Sequence, residues 1–102
     1  MQIRYSLENF SLYFYLQGEL DQHYAKGVKD YIDNILEETK GYKKVVFNLA
    51  DLSFMDSTGI GILLGRYKKL KKLSVASFLE APKVNVEKVL ELSGIYEVMP
   101  KI

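Results

Sequence analysis

Residues Val45–Lys72 read VVFNLADLSFMDSTGIGILLGRYKKLKK, and a change of period inside this stretch decides the fold. Val45, Val46, Phe47 and Leu49 make a short, nearly continuous, β-branched run, the mark of a buried strand. From Ser57 the apolar spacing becomes Ile60, Leu63, Leu64, Tyr67 and Leu70, one stripe of a helix ending near Leu70. Between them stand Asp56, Ser57 and Thr58, all residue types that favour a helix start. Strand followed by helix is the repeating unit of an α/β sheet.

Working outward, Ile3, Tyr5 and Leu7 alternate with polar neighbours, Glu8-Asn9 supplies a turn, and Leu12, Phe14 and Leu16 alternate again. Two strands joined by a tight turn are predicted there. Gly18 breaks the alternation and Asp21 can cap the next element. A helix is predicted over Tyr24–Thr39 with Val28, Ile32, Ile35 and Leu36 inward, and Gly41 ends it. Leu73–Leu79 reads as a strand. Ala81-Pro82 opens a third helix with Val86, Val89 and Leu90 inward and Gly94 as its stop. Ile95–Met99 is predicted as a last short strand. The resulting order is ββαβαβαβ, a small mixed, mostly parallel sheet with helices packed on it through right-handed crossovers.

Composition bounds the function. The 102 residues make one domain, 48% hydrophobic and 26% charged, which is ordinary for a folded globular chain. A formal charge of +1 gives no general pull toward nucleic acid or anionic membrane. Cysteine is absent and histidine occurs once, as His23, so thiolate metal sites are excluded and no metal or cofactor site is expected. No signal peptide and no run near the roughly 20 residues of a membrane span is seen, so a cytoplasmic location is expected. A monomer is expected as well.

Asp56, Ser57 and Thr58 are adjacent, yet a helix start has one cap position. The others should point outward, where free amides and the helix dipole favour negative charge. Gly59, Gly61 and Gly65 follow inside the helix, each costing about 1 kcal/mol relative to alanine. Gly61 and Gly65, four apart, share a face away from the apolar stripe. They either relieve crowding against the domain's own strands or offer a bare docking surface; their outward direction favours docking.

Catalytic readings fare worse. The serine elbow needs glycine where Met55 stands, and Arg66-Tyr67 follows Gly65 where a phosphate loop needs Lys-Ser/Thr. Gly59-Ile60-Gly61 misses the dinucleotide spacing. Arg66, Lys68, Lys69, Lys71 and Lys72 read as a solvated helix end, because Tyr67 is on the inward stripe and no exposed aromatics accompany them.

Gly18-Glu19-Leu20-Asp21, Phe54-Met55-Asp56-Ser57-Thr58-Gly59 and Leu64-Gly65-Arg66-Tyr67-Lys68, with Leu92-Ser93-Gly94-Ile95 near the end, resemble the STAS family. The likeness is strongest to its bacterial anti-sigma factor antagonists, sporulation type first and stress type next. The resemblance covers nearly all of residues 1–102 and implies a non-catalytic switch in transcription. Ser57 would be phosphorylated by an anti-sigma factor that is also a serine kinase, ATP belonging to that kinase. Asp21, Asp56, Ser57, Thr58, Gly59, Gly61 and Gly65 would form the partner surface, and a phosphoserine phosphatase would reset the switch. The alternative is a STAS module that senses a ligand or scaffolds a stress complex without kinase control. Two departures from the family are expected to lower robustness: no terminal helix follows within these residues, and Leu70–Ser74 lacks the usual glycines. The first would leave a sheet edge or helix less covered, with lower stability or self-association as the alternatives that follow.

Overall fold

A computed structural model describes residues 1–102 as β1 (Gln2–Glu8), β2 (Ser11–Leu20), α1 (Ala25–Glu38), β3 (Lys44–Met55), α2 (Ser57–Lys72), β4 (Ala76–Glu80), α3 (Val84–Ser93) and a 3₁₀ turn (Ile95–Glu97). The sheet order is β1-β2-β3-β4. β1 and β2 are antiparallel, joined by Asn9 and Phe10 at φ +49° and +68°, and β2, β3 and β4 run parallel. The α/β architecture is that expected.

One face of the sheet carries Leu12, Phe14, Leu16, Val45, Phe47, Leu49 and Leu79, all buried, and the helices pack there with Val28, Ile32, Leu63, Leu70, Val86 and Leu90. Phe14 stacks on its cross-strand neighbour Phe47 at 5.5 Å between ring centroids. Val46 is buried on the opposite face, outside that core, in register with Tyr13 and Phe78.

Five local expectations change. Gly18 does not end β2; at φ +111° it sits at a bulge, beside the register shift between Gly18 and Glu19, and the strand runs on to Leu20. β3 likewise continues six residues past Leu49 to Met55. β4 begins at Ala76 instead of Leu73, because α2 extends to Lys72 and closes over Leu73 and Ser74. There the Val75 N–H donates to the Leu70 carbonyl and the Ser74 N–H to that of Lys71, with Ser74 at φ +60°. This is the glycine-favouring C-terminal closure of a helix, built here without glycine.

Ile95–Met99 is not a strand. Gly94 stops α3 at φ +76°, and the Met99 N–H donates to the Ile95 carbonyl at 2.8 Å. Ile95 and Met99 are both buried while Val98 is exposed, so the inward residues repeat every four, as in a helical turn. The chain meets the sheet only at Lys101, bridged in parallel to Leu79.

Arg66 also departs from the solvated run. It is 5% exposed, and its guanidinium Nε lies 2.9 Å from Asp33 Oδ1 on α1. That N–H is not aimed well enough at the oxygen to count as a hydrogen bond, so the contact is chiefly one of charge. Lys69 and Lys29 approach the same carboxylate at 3.3 and 3.5 Å. Asp33 thus ties α1 to α2.

Candidate functional site

β2 and β3 are parallel and end together, Leu20 in register with Met55. The next residue of each strand is an aspartate, so Asp21 and Asp56 emerge at the same carboxyl edge of the sheet. Ligands and partners of open α/β sheets are met at such edges. The Asp56 N–H donates to the Leu20 carbonyl at 3.4 Å, closing the two strand ends against each other.

Asp56 is the cap of α2. Its Oδ1 accepts from the N–H groups of Thr58 at 2.9 Å and Gly59 at 3.3 Å. Ser57 is therefore the first helical residue, exposed and relieved of the capping role. Thr58 is half-buried. Asp21 caps as well, but one turn early: its Oδ1 accepts from His23 and Tyr24 N–H groups at 3.0 and 3.3 Å, ahead of α1 itself.

The three glycines separate. Gly59 is buried, and a Cβ there would stand 2.7 Å from Met55 Cγ and 2.9 Å from the Leu20 carbonyl oxygen. Gly59 relieves crowding against the domain's own strands, and its expected place on an outward docking surface is corrected accordingly. Gly61 and Gly65 meet nothing within 4 Å. Ser57, Gly61 and Gly65, spaced by four, make one open row along α2. Lys68 and Lys72 lie beyond, Lys68 about 16 Å along the axis from Ser57.

Beside Ser57 lies an open hollow of ≈ 570 Å³ lined by Asp21, Gln22, His23, Phe54 and Asp56. Phe54 is 44% exposed, an apolar ring lining the same hollow as the two carboxylates. Asn85 on α3 donates to the Ser53 carbonyl at 2.8 Å and steadies the strand end behind it. Sequence reasoning leaves Gln22, His23 and Phe54 out of the site. The signal that could find them is that residues flanking two aspartates at adjacent strand ends must share their surface, which becomes visible once β3 is extended to Met55. No group of three or more metal-ligating side chains forms, and no helix is long and apolar enough to cross a membrane.

A sheet of this topology, with an exposed serine opening the helix after its longest strand, defines the class of protein. Residues 3–102 match the family model of the STAS domain, and the chain belongs to that family. It is 33% identical over 85 residues to an anti-sigma F factor antagonist of Paenibacillus polymyxa, a match covering 83% of this chain and 72% of that one. It is 34% identical over 80 residues to the antagonist of the same name from Lysinibacillus sphaericus, covering 78% and 68%. Among solved structures, the anti-sigma factor antagonist SpoIIAA in its unphosphorylated form is similar at TM-score 0.82 and 27% identity, over 99% of this chain and 88% of that one. The phosphorylated form of the Bacillus cell fate determinant SpoIIAA is similar at 0.72 and 26%, over 99% and 91%.

Proposed function

We propose that this chain is an anti-sigma factor antagonist: it binds an anti-sigma factor while Ser57 is unmodified, freeing a sigma factor, and lets go when Ser57 is phosphorylated. The observation that carries the reading is the division of labour at the start of α2. Asp56 accepts from two of the free amides, those of Thr58 and Gly59, and Ser57 stands exposed on an open helix row. The names of the two relatives and the two forms of SpoIIAA support it. The anti-sigma factor would itself be the serine kinase and would bring the ATP, so this chain is substrate and switch, and a phosphoserine phosphatase returns it to the binding form.

Two effects compete when Ser57 gains a phosphate of about −1.5 to −2 charges. The helix start favours that charge by about 0.3–1 kcal/mol, so the domain stays folded. At an interface, like charge brought together costs several kcal/mol, and the phosphate must also shed water. A hundredfold loss of affinity needs only about 2.7 kcal/mol. The interface effect wins. Asp21 and Asp56 already make this edge acidic, which raises the cost of fitting a dianion there.

The test is incubation with the cognate anti-sigma kinase and ATP, followed by mass spectrometry and binding titration. Phosphate on Ser57 with at least a hundredfold weaker binding is expected. Phosphate on another residue, or unchanged affinity, overturns the reading.

A further inference from the structure

β1 is an edge strand whose outer side is unpaired along its full length. At the other edge, β4 is partly covered by the chain itself: the Leu79 N–H donates to the Pro100 carbonyl, and the Ile102 N–H to that of Leu79. Which groups β1 leaves free is set by the ladder. The Phe10 carbonyl accepts from Lys43 and Lys44, so Phe10, Leu12 and Phe14 turn their backbone groups toward β3. Ser11, Tyr13 and Tyr15 turn theirs to their β1 partners Glu8, Ser6 and Arg4. Ile3, Tyr5 and Leu7 therefore direct N–H and C=O away from the sheet. Their side chains lie on the helix-bearing face, where Tyr5 is 47% and Leu7 45% exposed.

Arg4 and Glu8 lie on the other face, four residues apart, and neither has an ion-pair partner in its own chain. Arg4 rests over the Tyr15 ring at 5.3 Å. Charges on an edge strand ordinarily keep such edges apart. Here they have opposite signs, and one antiparallel register satisfies both.

We propose that the β1 edge is a docking surface for a second copy of this chain, the two β1 strands pairing antiparallel about a two-fold axis through Ser6 to make one eight-stranded sheet. In this register Tyr5 of each copy exchanges backbone hydrogen bonds with Leu7 of the other, using the groups that point outward. Arg4 of each copy faces Glu8 of the other in the closer, non-bonded type of pair, with Cα atoms about 4.5 Å apart. Tyr5 and Leu7 meet as aromatic–aliphatic pairs on the opposite face. The register through Tyr5 keeps the same hydrogen-bond phase but sets Arg4 against Ser6 and Glu8 against Gln2, leaving every charge unpaired. Charge complementarity selects the axis through Ser6, which makes the dimer isologous, in place of the monomer expected from the sequence if association in solution bears it out. β1 stands two strands from β3, so the Ser57 edge stays uncovered in each copy.

Sedimentation or light scattering across protein concentration tests this. The unaltered chain is expected to dimerise as concentration rises. Arg4→Glu and Glu8→Arg should each weaken dimerisation by about tenfold or more, replacing two attractions with two repulsions. An equimolar mixture of the two variants should restore it, since every facing pair is then opposite in sign. Both residues are exposed, and circular dichroism checks that each variant is folded. A monomer at all concentrations, a dimer indifferent to either substitution, or a mixture that fails to re-associate overturns the proposal.

Discussion

Gly59 lies so close to Leu20 that a Cβ at 59 would stand 2.9 Å from the Leu20 carbonyl oxygen. Gly59→Ala should therefore destabilise the domain by about 1–3 kcal/mol, the cost of overpacking, because backbone and Met55 must both shift. Gly61→Ala, in open space on the same helix, should stabilise it by about 0.5–1 kcal/mol. Denaturant unfolding of the two variants checks the opposite signs. A bulky residue at Gly61 should weaken partner binding without lowering the unfolding midpoint.

Ser57 and Asp56 should respond differently to substitution. Asp56→Ala removes the acceptor of two amide hydrogen bonds and should cost about 0.5–2 kcal/mol of stability. Ser57→Asp adds charge at a helix start and should leave thermal stability within about 1 kcal/mol of the unaltered chain while weakening partner binding. Calorimetry of the two variants separates the structural acid from the exposed hydroxyl; a large loss of stability in Ser57→Asp would return Ser57 to a structural role.

Ser74 holds the left-handed position that closes α2, at φ +60°. A side chain there costs about 1–2 kcal/mol. Ser74→Gly should raise stability by about 1 kcal/mol, an increase of about 4–8 °C in Tm for a domain of this size. A scanning calorimeter reads this directly. The glycine that Leu70–Ser74 lacks thus has a defined location and sign.

Tyr96 has its phenol pushed up to about 12, first by burial and then by the Glu87 carboxylate, whose oxygen lies 3.5 Å from the hydroxyl. The folded pKa is raised above the ordinary tyrosine value of 10.0, so the fold favours the neutral phenol. That contribution is intact below about pH 10 and is lost as pH rises toward 12. Tyrosinate absorbance should lose a late-titrating ring in Tyr96→Phe, while Tyr42, also raised by burial, remains in both, and the variant should lose less stability over that window.

Periodicity carried most of the architecture. Val28, Ile32, Ile35 and Leu36 declared α1, and β1 and β2 declared themselves by alternation. It failed where a long-range partner overrides the local pattern. Asp51 and Ser53 interrupt the continuous apolar run that marks the strand as far as Leu49, but pairing with β2 through Leu20 carries it on to Met55. Ile95–Met99 reads as a strand because the segment is short and apolar, although the spacing of Ile95 and Met99 by four suits a helical turn. Arg66 could be told from its lysine neighbours only by its partner Asp33, which lies on a different helix. At the site, Asp56, Ser57 and Thr58 were visible as competitors for one cap, and geometry gave the cap to Asp56. Helical spacing already put Gly59 on a different face from Gly61, but only the sheet beside it shows that a Cβ there would collide.

The meeting of Asp21 with Asp56 across two parallel strand ends has a consequence for timing. These halves of the acidic edge are separated in sequence by the whole of α1, and parallel strands cannot pair until the crossover between them is complete. An incomplete or misfolded chain therefore carries the serine without the assembled surface around it. Only molecules that have finished folding would be counted by a partner that reads both.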